Sequence, residues 1–212
     1  MKIALIGASG FVGSAILDEA VSRGHSVTAI VRGTSKVAPH PQITTVAVDA
    51  QDPQALADVL KGQDRVISAY NPGWTAPDIY DQYLKGASAI VEAAKAAHSW
   101  LLVVGGAGSL EIAPGVQLVD TPDFPAEWKQ GALAARDGLT ALRREAALDW
   151  RFVSPPVFLE PGEKRGGYRL GGDQVLFSGD KPAGITVGDL ANAVLNEAEK
   201  PAHLRQRFTL AY

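Results

Sequence analysis

The chain has 212 residues, 46% of them hydrophobic and 20% charged, with a formal net charge of −3, which fits one globular domain with a full core. That charge, with no basic run, argues against nucleic acid as a main partner, and no apolar stretch is long enough to cross a bilayer. Cysteine is absent, which excludes disulfides, thiolate metal sites and a cysteine nucleophile.

The first predicted element is a strand, Lys2-Ile3-Ala4-Leu5-Ile6, that opens directly from Met1. This leaves no room for a signal peptide, so cytoplasmic residence is expected. The strand ends at Gly7, and Gly10 and Gly13 follow before a helical pattern with Phe11, Val12, Ala15, Ile16, Ala20 and Val21 at a 3.6-residue period. A strand, a glycine turn and a helix N-terminus together form the arrangement that binds a dinucleotide pyrophosphate. Gly7 suits the sharp turn, Gly10 the close approach of backbone to phosphate, and Gly13 the packing of helix on strand. The spacing is GxxGxxG, one residue longer than GxGxxG between its first two glycines.

Gly24 ends the helix, and Ser26–Val31 reads as the second strand. The residue after it usually selects the cofactor: a carboxylate accepts hydrogen bonds from the adenosine ribose, whereas arginine suits a 2′-phosphate. Here it is Arg32, with Ser35 and Lys36 close behind and no carboxylate nearby, which favours NADP(H) over NAD(H). A polar loop over 33–42 precedes a third strand over 43–48, after which Asp49-Ala50 reads equally as an adenine contact or as a turn. Asp52-Pro53 opens a helix ending near Gly62, with Asp52 as cap and proline where no amide is needed. A fourth strand over 65–69 runs into Ser68-Ala69-Tyr70, at the carboxyl edge of the sheet, where open α/β folds bind ligands. A long helix over 77–98 and an apolar fifth strand, Trp100–Val104, follow.

The second half is less regular. Residues 105–124 read as loop, 125–147 as a helix, and Trp150–Ser154 as a sixth strand stopped by Pro155-Pro156. Residues 162–179 suggest a hairpin, and Thr186 caps a further helix with Asp189 three residues on. The terminal Arg207–Tyr212 carries an edge-strand pattern. Alternating strands and helices predict a single α/β domain over 1–212, a Rossmann-type doubly wound parallel sheet with a small C-terminal substrate lobe, mainly from 155–186. The four histidines lack metal-ligand spacing, and His25 and His203 read as solvated. Tyr70, Trp74, Phe124, Trp128 and Phe158 fall in loops after strands or at helix starts, a set that suits a flat aromatic substrate.

Gly7–Gly13, Val103–Leu110, Leu148-Asp149-Trp150 with Ser154-Pro155-Pro156, and Arg207-Phe208-Thr209 together resemble the short-chain dehydrogenase/reductase superfamily. Within it they are most similar to the atypical, NmrA-like branch and its NADH-flavin reductase group related to biliverdin reductase B. The resemblance implies a reduced nicotinamide cofactor and reduction of a flavin or another conjugated ring. Carried over by position, it implies that Gly7, Ser9, Gly10, Phe11 and Val12 hold the pyrophosphate and Arg32 the ribose phosphate. Ser68, Ala69, Pro155 and Val157 would line the nicotinamide end, beside Tyr70.

The superfamily's Tyr-x-x-x-Lys pair is missing: the residues four after Tyr70, Tyr80, Tyr83 and Tyr168 are Trp74, Leu84, Ala87 and Gly172. Alcohol and ketone chemistry by that pair is therefore not expected, nor is a sugar-nucleotide epimerase. Lys129 stands where a lysine could reach the nicotinamide ribose, and Ser109 follows the fifth strand as another catalytic candidate. An NADPH-dependent reductase and an NmrA-like NADP(H) sensor without turnover are the two functional readings.

Overall fold

A computed structural model describes residues 1–212; the side chain of Ser35 lies outside the described residues. The elements that build the main sheet and its covering layers are β1 (Lys2–Ile6), α1 (Phe11–Ser22), β2 (Ser26–Val31), β3 (Ile43–Ala47), α2 (Pro53–Leu60), β4 (Arg65–Ser68), α3 (Ile79–Ala96), β5 (Trp100–Val104), α4 (Ala126–Leu142), β6 (Asp149–Ser154), β7 (Arg169–Gly171), α5 (Val187–Glu199) and β8 (Arg207–Ala211). The eight strands lie in the order β7-β8-β6-β5-β4-β1-β2-β3. All neighbouring pairs are parallel except β7 with β8.

Parallel strands must be covered on both faces, and two apolar clusters do this. One joins Ile16, Leu17 and Ala20 of α1 to Leu190, Val194 and Leu195 of α5 beneath Ile3, Leu5, Phe208 and Leu210. The other joins Leu56 and Leu60 of α2, Ile90 and Ala93 of α3, and Leu139 and Leu142 of α4 beneath Ile6, Leu101, Trp150 and Phe152. Burying each of these large side chains contributes roughly 1.5–3 kcal/mol. Among the described residues, no helix is long and apolar enough to cross a membrane.

The expected caps form. Asp52 Oδ1 accepts from the amides of Gln54 and Ala55 at 3.1 and 3.0 Å, and Thr186 Oγ1 accepts from Asp189 N at 3.3 Å. Asp189 then serves a different segment: its carboxylate accepts from the amides of Arg165 and Gly166 and from the Tyr212 hydroxyl.

Several expectations are corrected. Residues 162–179 form no hairpin of their own: β7 pairs with β8, and Phe177–Ser178 pairs with Lys181–Pro182. The C-terminal strand is interior, not edge, with every residue of β8 buried between β6 and β7. Its polar residues find partners inside the fold, Thr209 Oγ1 donating to Ser154 O at 2.8 Å. The helix expected to reach Ala147 ends at Leu142, and the loop over 105–124 holds a small antiparallel pair, Glu111–Ala113 with Val116–Gln117. His25 is buried, its ring 2.9 Å from Glu199 and 3.3 Å from the N-terminal amine. His203 meets Glu197 at 2.8 Å and stacks on Phe208.

Candidate dinucleotide site

Strand order reverses at β1: β2 and β3 continue to one side, and β4, β5 and β6 to the other. Such a switch point opens a crevice beyond the carboxyl ends of the strands, and the glycine loop stands in it. Gly7 has φ +78°, a conformation that glycine adopts freely. A Cβ there would lie 2.6 Å from Ala69 O, so the loop and the chain after β4 touch backbone to backbone. A Cβ on Gly13 would lie 2.0 Å from Gly7 O, which fixes α1 tightly beneath the turn.

Gly10 differs from both. It caps α1 at φ −80° and ψ 172°, and an added Cβ would meet only Gly7 O, at 3.4 Å. Among the described residues, nothing demands glycine at this exposed position. The first bond inside the helix runs from Ser14 N to Gly10 O at 2.8 Å. The amides of Phe11, Val12 and Gly13 therefore precede the helical ladder, and α1 has no side-chain cap and no acidic residue in its first turn. A helix start of this kind favours an anion.

The other predicted positions lie around this cradle along the carboxyl edge. Ser9 and Phe11 are exposed and Val12 half-buried. Arg32 is exposed immediately beyond β2 and, among the described residues, its guanidinium has no ion-pair or hydrogen-bond partner. Asp49 acts as a turn residue, its Oδ1 accepting from Gln51 N at 3.0 Å, and Ala50 is buried. Ser68 is buried at the end of β4, and Ala69 N donates to Ile6 O at 2.9 Å. Pro155 is buried and Val157 half-buried beyond β6.

Tyr70 turns away from the loop at its side chain. Its ring covers Gly86 of α3, where a Cβ would be 2.3 Å away, and its hydroxyl donates to Gln82 O at 3.0 Å. Beyond that ring, a cavity of about 410 Å³ opens between α3 and α4, lined by Tyr83, Leu84, Ala87, Val91 and Leu142. Trp74 and Trp128 are exposed, and Trp74 lies over Gly131 of α4. The aromatic group therefore divides, with Tyr70 committed to α3 and Trp74 to α4.

None of the five tyrosines is tied to a lysine among the described residues. Four have hydroxyls held less acidic than usual. Burial raises Tyr70, a bond to Asp137 at 2.6 Å raises Tyr80, and burial raises Tyr168. Burial, aided by Tyr70, pushes Tyr83 up to about 12. A catalytic tyrosine needs the opposite shift.

Lys129 sits half-buried in the first turn of α4, without a hydrogen-bond or ion-pair partner among the described residues. Ser109 is only 3% exposed, and its Oγ accepts from Arg207 Nη1 at 3.2 Å. Sequence reasoning places Arg207 in the terminal strand without giving it a role, and misses its partner Asp173. The available signal was an arginine opening a largely apolar strand, a charge that must find a buried partner.

Residues 7–201 match the NAD(P)H-binding family. The chain belongs to that family. It is 41% identical to the Bacillus subtilis protein YwnB over 99% of this chain and 98% of that one. A Bacteroides thetaiotaomicron structure, provisionally named an epimerase, superposes with a TM-score of 0.93 at 41% identity, covering 100% of this chain and 96% of that one. A Streptococcus pneumoniae structure, provisionally named an NADH-flavin reductase, superposes with a TM-score of 0.89 at 39% identity, covering 100% and 99%. Those two relatives carry names from different reaction classes.

Proposed function

We propose that this NAD(P)H-binding protein is a reductase that transfers hydride from NADPH to a flavin, quinone or similar conjugated acceptor. The observation that carries this reading is the state of its tyrosines: among the described residues none is paired with lysine, and four are held less acidic than a free phenol. An epimerase or a ketone reductase must move a proton at the reacting carbon or oxygen, which makes a tuned acid valuable. A conjugated ring spreads the arriving charge and takes its proton later from water.

The fit of a dinucleotide rests on the open flank of Gly10 and the uncapped start of α1. In this proposal the amides of Phe11 and Val12, with Ser9, hold the pyrophosphate, and the turn at Gly7 presents them. Arg32, without a side-chain partner among the described residues, holds the 2′-phosphate, which makes NADP(H) the preferred cofactor over NAD(H). Asp49 and Ala50 shape the adenine end, while Ser68, Ala69, the backbone of Tyr70, Pro155 and Val157 shape the nicotinamide end. Lys129 meets the nicotinamide ribose. Bound in this way, the reduced nicotinamide supplies the hydride. The protein supplies proximity, holding donor and acceptor about 3–3.5 Å apart, with Trp74 and Trp128 as walls for a flat ring.

The test is a panel of flavins, quinones and simple ketones offered with NADPH and with NADH. NADPH consumption that depends on the flavins or quinones and not on the ketones supports the proposal. Tight NADPH binding without consumption would instead point to a redox sensor.

A further inference from the structure

A buried arginine braces the loops on the acceptor side of this site. Arg207 opens β8, and its side chain is 2% exposed. All three of its guanidinium nitrogens are engaged. Nε donates to Asp173 Oδ1 at 2.7 Å, and Nη1 to Ser109 Oγ at 3.2 Å and Ser154 Oγ at 3.3 Å. Nη2 donates to the carbonyls of Ser109 and Asp173, at 3.4 and 3.2 Å.

These partners belong to three separate pieces of chain. Ser154 ends β6, Ser109 lies in the turn after β5, and Asp173 lies in the segment after β7. Asp173 is held a second time, by Arg143 at the end of α4, at 2.7 Å. Its backbone is stitched to the turn after β5: Glu111 N donates to Asp173 O, and Val175 N to Glu111 O, each at 2.9 Å. Burial works to raise the Asp173 carboxyl, but the two arginines outweigh it and hold it below the usual carboxylate range.

An arginine buried purely for stability is a poor choice, because well-packed apolar residues often serve as well. Here the guanidinium fork ties two loops to the end of a strand. A lysine ammonium, with donors radiating from one atom, cannot bond two serine hydroxyls, the Asp173 carboxylate and the carbonyls of Ser109 and Asp173 together. We propose that Arg207 is a positioning residue: it clamps the turn over 107–111 and the segment over 172–175 so that together they form the wall against which the acceptor is held. This rests on the reductase reading, because it takes the carboxyl edge beyond β5 and β6 as the acceptor side. It also explains Ser109, whose buried hydroxyl anchors the clamp.

Arg207→Lys and Asp173→Asn test this in the full-length protein. Three readouts are compared with wild type: NADPH affinity by nicotinamide fluorescence, kcat and KM for FMN as acceptor, and backbone hydrogen exchange. The expected result for Arg207→Lys is NADPH affinity within about twofold, a KM for FMN raised tenfold or more, and a smaller change in kcat. Exchange should speed up over 107–111 and 172–175 while β1 to β4 stay protected. Asp173→Asn keeps one acceptor oxygen and should show the same pattern more weakly. Unchanged KM and unchanged loop exchange would overturn the proposal. Parallel loss of NADPH binding and of protection throughout the sheet would overturn it too, by showing a role in global stability alone. If the wild type turned over no acceptor, the reductase reading would fall, and exchange would judge the clamp separately. Loosening confined to the two loops would support it, and uniform loosening or none would refute it.

Discussion

Gly10 and Gly13 sit three residues apart in one motif, yet the geometry assigns them opposite consequences. At Gly13 a methyl group would stand 2.0 Å from Gly7 O, a backbone atom that cannot swing aside. Overpacking of this kind costs about 1–3 kcal/mol or more, and in a domain of this size each kcal/mol lowers Tm by about 2–4 °C. Gly13→Ala should therefore melt several degrees below wild type. At Gly10 the same methyl group meets one atom at 3.4 Å, and φ −80° suits any residue. Alanine caps a helix less well than glycine by roughly 0.5–1 kcal/mol, and the stiffer unfolded chain returns about 0.4–1 kcal/mol. The stability of Gly10→Ala should thus be nearly that of wild type. Its NADPH binding should not be. A methyl standing about 1.5 Å off the backbone keeps phosphate from the amides, and each charge-assisted bond lost costs about 1.5–3 kcal/mol, a tenfold to hundredfold drop in affinity. Thermal melts and fluorescence titration with NADPH measure both quantities. Wild-type affinity in Gly10→Ala would refute the cradle, as would a loss of stability equal to that of Gly13→Ala.

Arg32→Glu should weaken NADPH tenfold to hundredfold, from the loss of about 1.5–3 kcal/mol, and leave NADH nearly unaffected; equal losses in paired titrations would remove Arg32 from the site. Lys129→Ala should raise the Kd for NADPH while kcat at saturating cofactor stays within a few-fold of wild type, and a thousandfold fall in kcat would make Lys129 catalytic. Tyr70→Phe should retain most turnover, because its hydroxyl is spent on Gln82 O. Burial works to raise the Asp189 carboxyl, but bonds from Tyr212, the amides of Arg165 and Gly166, and Thr186 outweigh it and hold it below its ordinary value. Its stabilisation is therefore complete above that ordinary value and lost as pH falls through the lower folded one. Asp189→Asn should cost about 1.5–3 kcal/mol at pH 7 in urea denaturation and lose less further stability than wild type on acidification, and an unchanged acid limb would contradict this.

The first half of the chain was legible because its signals are local. The apolar run before Gly7, the Asp52-Pro53 cap and the glycine at position 24 each act within a few residues, and the elements they predict fall within about two residues of those observed. The glycine turn was legible for the same reason. The second half depends on contacts distant in sequence. Arg207 and Thr209 made the last strand look half-exposed, because their partners Ser109, Asp173 and Ser154 lie far back in the chain. The strand-like piece at Arg169–Gly171 was assigned to a local hairpin because nothing nearby indicates that its partner is β8. Likewise His25 and His203 looked solvated until the fold brought Glu199 and Glu197 against them.

The central claim is hydride transfer from NADPH to a conjugated acceptor without a protein acid. Single-turnover oxidation of NADPH deuterated at either face of nicotinamide C4, with FMN as acceptor, tests it most directly. The account predicts acceptor-dependent oxidation, slowed at least twofold by deuterium on one face only, at a rate that Tyr70→Phe and Ser109→Ala largely preserve when FMN is saturating. No FMN-dependent oxidation, or a rate that collapses in either variant with NADPH still bound, would contradict it.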